Sequence, residues 1–185
     1  VLRQETHFPD EPRTRIILRL KEPTSFALRI RHPSWVADQG LTLRLNGGKI
    51  PASVTSSGYA EIKREWKNGD TLEIDLPMQV TAERLPDGSD WIALMYGPIL
   101  LASESGTADM DGLRADGSRM GHVAHGPTLP LDQAPALLAD PAHVAEHIHR
   151  DKTSETLRFS LNDIVSAPSQ GGITLLPFFR LHDTR

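Results

Sequence analysis

The stretch GYAEIKREWKNGDTLEIDLP, residues 58–77, contains the pattern that decides the fold. On either side of the turn sequence KNGD (67–70), apolar side chains alternate with charged or polar ones. An alternation of period two is typical of a β-strand that buries one face, and Asn-Gly is typical of a tight turn. The stretch therefore predicts two short strands joined by a turn.

The same alternation extends towards the N-terminus. It recurs in TRIILRL (14–20), FALRIR (26–31) and LTLRLNG (41–47). The sequence NGG (46–48) follows a strand pattern and precedes no helical one, which predicts a β-hairpin. Short strands separated by turns every eight to twelve residues or so are typical of an antiparallel sandwich or barrel.

Towards the C-terminus the pattern changes. WIALMYGPILLAS (91–103) is almost continuously apolar, as expected of a strand buried on both faces. A segment rich in Gly, Asp and Pro follows and predicts loops. DPAHVAEHIHR (140–150) begins with an N-capping Asp and a Pro at the first helical position, which predicts one short helix. Strand patterns return at 156–164 and 172–182.

These patterns predict an all-β fold of two antiparallel β-sandwich units with one short helix. Gly97 and Pro98 indicate a break, so the first sandwich is predicted to span residues 1–97 and the second, loop-rich unit residues 98–172. The segment 173–185 is apolar enough to rejoin the first sandwich as its last strand. The chain opens on Val1 with a strand-like alternation and closes on PFFRLHDTR (177–185) without a tapering polar tail, so both ends are expected to continue in a longer chain.

Composition argues against several classes of partner. The net charge is −4 and the basic residues are scattered, so no basic stripe can neutralise phosphates and nucleic acid is not expected to bind. No apolar run approaches the roughly 20 residues that span a bilayer, so no membrane partner is expected. The chain has no cysteine, which excludes disulfides, thiolate metal sites and cysteine nucleophiles within it.

The segment HVAEH (143–147) matches the H-x-x-E-H signature of inverted zincins. On an α-helix, His143 and His147 would lie one turn apart on one face, and Glu146 could activate a metal-bound water. Such enzymes also need a long helix, a third ligand and a cleft, whereas this helix is short and lies between loops. A solvated amphipathic helix is the favoured interpretation, and the two histidines remain candidate metal ligands.

Three tryptophans are candidate sugar-binding residues, because carbohydrate-binding sandwiches stack sugar rings on exposed aromatic side chains. Trp66 directly precedes KNGD, Trp35 follows HPS, and Trp91 opens the apolar segment. The simpler interpretation is that they close the ends of the hydrophobic core. No nucleophile elbow, P-loop or dinucleotide fingerprint occurs, and no pair of carboxylates forms a recognisable glycosidase signature.

Several segments also occur in a familiar order: LRIRHPSW (28–35), LRLNGG (43–48), GYAEIKREWKNGDTLEIDLPM (58–78), ALMYGPILLAS (93–103), SRMGHVAHGP (118–127) and LLPFFRLHDTR (175–185). In this order they resemble the C-terminal part of the β-L-arabinofuranosidase family of glycoside hydrolases. The resemblance covers nearly the whole chain.

The resemblance implies that catalysis takes place outside these residues. In that family the active site lies in an N-terminal (α/α) barrel, with a glutamate acid/base and a cysteine nucleophile bound to zinc by further cysteines. None of these residues has a counterpart here. The resemblance therefore implies no cofactor in this fragment, zinc in the catalytic domain, and the barrel of the same full-length chain as the partner, with a homo-oligomer left open.

The expected role is accessory: these residues would pack against the barrel and stabilise it. The segments MGHVAHG and PFFRLHD combine apolar residues with His outside the alternating strands, so they are the predicted barrel interface, through His122, His125, Phe178, Phe179 and His182. The main alternative is an independent carbohydrate-binding module that uses exposed Trp or Tyr. A metal-dependent hydrolase built on the histidine helix is a third hypothesis.

Overall fold

β-Strands predominate in the computed structural model, which describes residues 1–103, 136–138, 140–162, 165–166 and 172–181. All strand pairs within these ranges are antiparallel. The predicted all-β fold is therefore confirmed. The chain divides into two compact units, Val1–Gln79 and Val80–Arg185. Among the residues described, no helix has the length and hydropathy that a membrane span requires.

The first unit is built from the strands β1 (Leu2–Thr6), β2 (Arg13–Leu18), β3 (Thr24–Arg31), β4 (Thr42–Leu45), β5 (Gly48–Ile50), β6 (Tyr59–Trp66) and β7 (Thr71–Asp75). Five of them form a sheet in the order β1-β2-β7-β4-β5, and β3 pairs with β6 in a second sheet. The two strands predicted from residues 58–77 are present. They lie in different sheets, so the KNGD turn carries the chain from one sheet to the other.

The alternating apolar residues of both sheets meet in one core. Ile16, Leu43 and Leu72 contribute from the five-stranded sheet, and Ile30 and Trp66 contribute from the two-stranded sheet. Each of these side chains is at least nine-tenths buried. Because each strand has one apolar face, two sheets stacked on those faces remove the apolar area from water. The first unit is thus the predicted sandwich.

The NGG sequence forms the predicted hairpin between β4 and β5. Asn46 and Gly47 have φ values of 49° and 84°, and Leu45 pairs with Gly48 across the turn. Positive φ at both central residues matches the twist of the flanking strands, and Asn and Gly adopt it at low cost.

Asp70, at the end of the KNGD turn, holds this hairpin to the turn. Its carboxylate accepts hydrogen bonds from Asn46 Nδ2 at 2.9 Å and from the Lys67 backbone N–H at 2.8 Å. The hydrogen bond from Asn46, with that from Lys67, lowers the pKa of Asp70 below its ordinary value. Asn46 Oδ1 in turn accepts from the Thr71 backbone N–H at 2.8 Å. The carboxylate therefore joins two turns that are far apart in sequence.

In the second unit the described strands are β8 (Val80–Arg84), β9 (Ile92–Tyr96), β10 (Ile99–Ser103), β11 (Ala136–Leu137), β12 (Ile148–Arg150), β13 (Phe159–Leu161), β14 (Val165–Ser166) and β15 (Ile173–Pro177). Six of them form a sheet in the order β12-β13-β15-β10-β9-β8, and β11 pairs with β14. The described residues of this unit also form two short 3-10 helices, Pro141–His147 and Phe178–Arg180. Phe159, Leu157 and Val144 are fully or almost fully buried in the core of this unit.

The structure divides the chain differently from the sequence-based prediction. The boundary lies at Gln79–Val80 and not at residue 97, because Gly97, with a φ of 55°, and Pro98 form a turn between β9 and β10, which are neighbours in one sheet. The last strand, β15, does not return to the first sandwich. It lies between β10 and β13, where Leu175 joins the core of the second unit. Pro77 lies between β7 and β8, just before this boundary.

Candidate functional site

The predicted short helix is present, but as a 3-10 helix. Asp140 caps it, because its Oδ1 accepts from the Ala142 backbone N–H at 2.9 Å, and Pro141 is the first helical residue. Val144 packs inward and is fully buried, as predicted. Ile148 is also buried, but it lies in β12, directly after the helix.

The helix type changes the geometry of the two candidate metal ligands. With about 3.0 residues per turn, residues four apart lie about 120° apart around the axis, whereas in an α-helix they lie about 40° apart. His143 and His147 therefore do not share a face. The His143 Nδ1 atom lies 3.2 Å from Glu146 Oε1, and both side chains are about two-thirds exposed. This hydrogen bond, with the charge of the carboxylate, raises the pKa of His143 above its ordinary value.

No group of three or more metal-binding side chains occurs in the described part of the chain. The zinc site implied by the family resemblance is built from cysteines, and this sequence has none. The residues present therefore do not fit that site.

Two of the three candidate tryptophans belong to the first unit. Trp66 is fully buried, stacks on Phe26 with ring centroids 5.6 Å apart, and donates from Nε1 to the Phe26 carbonyl at 3.1 Å. It is a core residue that no sugar can reach. Trp35 is half-buried, and its ring centroid lies 6.2 Å from that of Phe8.

Trp91 is different, because its side chain is 54% exposed. It directly precedes β9, and its carbonyl accepts a hydrogen bond from the Leu85 backbone N–H at 3.3 Å. Within the intervening turn, Asp87 Oδ1 accepts from the Ser89 backbone N–H at 2.9 Å. The hairpin that joins β8 to β9 thus presents an aromatic ring at its base.

A cavity of about 880 Å³ lies beside Trp91 in the second unit. Arg84 and Asp90 line it together with the indole, and Arg84 Nη1 lies 3.8 Å from Asp90 Oδ1. Further lining side chains come from the sheet and are apolar, among them Leu94, Leu101, Leu161 and Leu175. Trp91 is one of the candidates that the sequence offers, whereas Arg84 and Asp90 are not. A single charge beside a turn has no distinctive local pattern, so no sequence signal identified these two residues.

Only part of the predicted barrel interface lies within the described residues. Phe178 and Phe179 form the 3-10 helix after β15 and are 61% and 48% exposed. The Arg180 guanidinium carbon lies 5.4 Å from the centroid of the Phe179 ring. His122, His125 and His182 lie outside the described residues.

The central strands of the six-stranded sheet carry apolar side chains on both faces. Leu101 faces the core and is 5% exposed, whereas its neighbour Leu100 is 38% exposed. Because successive side chains alternate and register partners share a face, Leu100 and its partner Met95 lie on the opposite face. Ala102 and its partner Leu176 lie on that face as well. The apolar segment at 91–103 predicts one strand buried on both faces, whereas it forms two antiparallel strands, and Leu100 on the outer face is 38% exposed.

Two family models match this chain, one over each of the two units. Residues 1–78 match the model of the middle domain of the GH127 β-L-arabinofuranosidases. Residues 81–185 match that of DUF4986, described as a domain of unknown function. The two matches meet where the two compact units divide. No curated protein matches the chain.

Three solved structures that share this fold are titled as glycoside hydrolases or arabinofuranosidases. One titled "Glycoside hydrolase" has 19% identity and a TM-score of 0.58, and the match covers 100% of this chain and 30% of that one. Ara127N-Se, a GH127 β-L-arabinofuranosidase from Geobacillus stearothermophilus T6, has 22% identity and a TM-score of 0.58, with 98% and 28% covered. A GH127 β-arabinofuranosidase has 19% identity and a TM-score of 0.58, with 96% and 29% covered.

The chain therefore spans less than a third of the length of these proteins. At this low sequence identity, the structural matches establish a shared fold and nothing more. Membership in a family is established by the matches to the family models. The chain belongs to the domain family of unknown function over residues 81–185 and, with the GH127 middle domain before it, is a region of the β-L-arabinofuranosidase family of glycoside hydrolases.

Proposed function

We propose that these residues are a non-catalytic accessory region of a β-L-arabinofuranosidase-like glycoside hydrolase, in which they pack against and stabilise an N-terminal catalytic (α/α) barrel. The observation that carries the proposal is an apolar surface in the second unit, here called the outer patch: Met95, Leu100, Leu176, Phe178 and Phe179. Its members lie on the face opposite the core or in the 3-10 helix after β15.

The outer patch supports a packing role because apolar area in contact with water is unfavourable. Full burial of a Leu or Phe side chain contributes about 1.5–3 kcal/mol. Phe178 and Phe179 are already about half-buried, so covering them would add about 2–3 kcal/mol together. Association costs less entropy for a domain in the same chain than for a separate protein. A small apolar patch can therefore hold the linked barrel in one orientation.

In the proposal, the groups that perform hydrolysis belong to the barrel: the glutamate acid/base, the cysteine nucleophile and the zinc. The lack of any cysteine in this chain supports that division of roles. We expect no hydrolysis of a chromogenic aryl β-L-arabinofuranoside by the 185-residue chain. Turnover by the purified chain, above that of a mock purification, would contradict the accessory role.

The packing role is tested by substituting the outer patch in two contexts. In the longer protein, Phe178→Ser combined with Phe179→Ser should lower the Tm of the barrel transition by several degrees. In the 185-residue chain the same pair should lower the Tm less, because about half of each side chain is already exposed to water there.

A matched single substitution makes the test more specific. Leu100→Ser removes a 38% exposed side chain of the outer patch, and Leu85→Ser removes a 44% exposed leucine outside it. Only the first should destabilise the longer protein. Equal effects of the two variants, or no effect of the Phe pair in the longer protein, would contradict the packing role.

A further inference from the structure

We propose that the cavity beside Trp91 is a binding site for a neutral saccharide, with Trp91 as the stacking surface and Arg84 and Asp90 as the hydrogen-bonding groups. The site lies within the second unit.

The Trp91 indole is exposed and held in place at the cavity. Trp91 keeps 54% of its side chain exposed, whereas the other aromatic side chains of the β9–β13 region are packed, with Tyr96 and Phe159 edge to face at 4.9 Å between centroids. The hydrogen bond from the Leu85 N–H to the Trp91 carbonyl holds the backbone on which the ring is carried. An indole held at the mouth of a cavity offers a large flat surface at a low cost in conformational entropy.

The charged side chains beside Trp91 favour a neutral ligand. Arg84 and Asp90 carry opposite charges. The Arg84 side chain is 58% exposed, and the Asp90 side chain is fully exposed. At 3.8 Å between Nη1 and Oδ1 they form an ion pair but not a hydrogen bond, so both keep their hydrogen-bonding capacity. The pair has no net charge, so it gives no net electrostatic attraction to a phosphate or to an ammonium group. The pair therefore favours an uncharged ligand rich in hydroxyl groups, which can donate to the carboxylate and accept from the guanidinium.

The volume and lining of the cavity suit a small ligand. Its volume of about 880 Å³ falls in the range of roughly 300–1,000 Å³ typical of small-molecule sites. Apolar side chains such as Leu94 and Leu101 line it beside the charged pair. A sugar ring has apolar C–H faces and hydroxyl groups at its edge, so it can contact the indole and the partly exposed Leu94 with its faces and the ion pair with its edge.

The test is a titration of the 185-residue chain with neutral sugars, measured by calorimetry and by tryptophan fluorescence. The probes are a β-L-arabinofuranosyl disaccharide, xylobiose and cellobiose. We expect saturable binding of at least one probe. Trp91→Ala should weaken that binding about tenfold or more, and Asp90→Asn should weaken it several-fold.

Two further variants separate binding from folding. Trp91→Tyr keeps an aromatic ring and should retain most of the affinity. Trp35→Ala is the matched control, because it removes an indole from the first unit and should leave the affinity unchanged. The proposal is overturned if no probe binds saturably, if Trp91→Ala binds like the unsubstituted chain, or if the cavity takes up only an apolar dye that the sugars do not displace.

Discussion

Replacing Asp70 by Ala is expected to destabilise the first unit by about 3 kcal/mol. The carboxylate is 7% exposed and accepts from Asn46 Nδ2 at 2.9 Å and from the Lys67 N–H at 2.8 Å. A hydrogen bond to a charged acceptor contributes about 1.5–3 kcal/mol. The lower end of that range applies to each bond, because Asn46 and Lys67 are exposed residues whose freed donors can be hydrated. Arg64 Nη2, at 3.8 Å from Asp70 Oδ2, adds a weaker charge interaction.

The same carboxylate predicts a dependence of stability on pH. The pKa of Asp70 is lower in the folded state than its ordinary value of 3.8. Its contribution is therefore fully present above about pH 5 and is lost as the pH falls through the lowered folded-state pKa. The difference in unfolding free energy between the unsubstituted chain and Asp70→Asn should be largest near pH 7. It should shrink steadily below about pH 4.

Urea unfolding followed by tryptophan fluorescence provides the assay. Two of the three tryptophans, Trp35 and Trp66, lie in the first unit, so the signal follows that unit mainly. Asp38→Asn, at an exposed position of the same unit, is the matched control and should change stability by less than about 0.5 kcal/mol. A loss below about 1 kcal/mol for Asp70→Ala, or a pH-independent difference for Asp70→Asn, would refute the assigned role of the Asp70 carboxylate.

Two other predictions concern the second unit. Phe159→Ala should destabilise it by about 3–5 kcal/mol, because the ring is 2% exposed and its removal leaves a cavity against Tyr96. Urea unfolding measures this loss, and a value below about 1 kcal/mol would show that the core relaxes around the site. Glu146→Gln should lower the pKa of His143 towards its ordinary value, because the hydrogen bond and charge of the carboxylate raise it. An NMR titration of the imidazole measures the change, and an unaltered midpoint would contradict the His143–Glu146 interaction.

The candidate sites were less predictable from the sequence than the strands. The H-x-x-E-H spacing is meaningful only on an α-helix, and this segment is a 3-10 helix, so the two histidines point in different directions. Exposed and buried tryptophans also look alike in a sequence. Trp66 shares one face of β6 with Ile62 and Arg64 and is fully buried, whereas Trp91 precedes its strand and remains exposed.

Amphipathic alternation by itself determined most of the strands, their inward faces and the NGG hairpin, since these depend on residues within a few positions of one another. Tertiary structure alone decided which strands that are distant in sequence are neighbours. β6 pairs with β3 and not with β7, and β15 pairs with β10 and β13, so that Leu101 lies opposite Pro177. The hydrogen bonds between strands join backbone groups that every sequence shares, so they do not specify a partner. The partner is selected by which arrangement buries the apolar faces of distant segments together, and that depends on the whole chain.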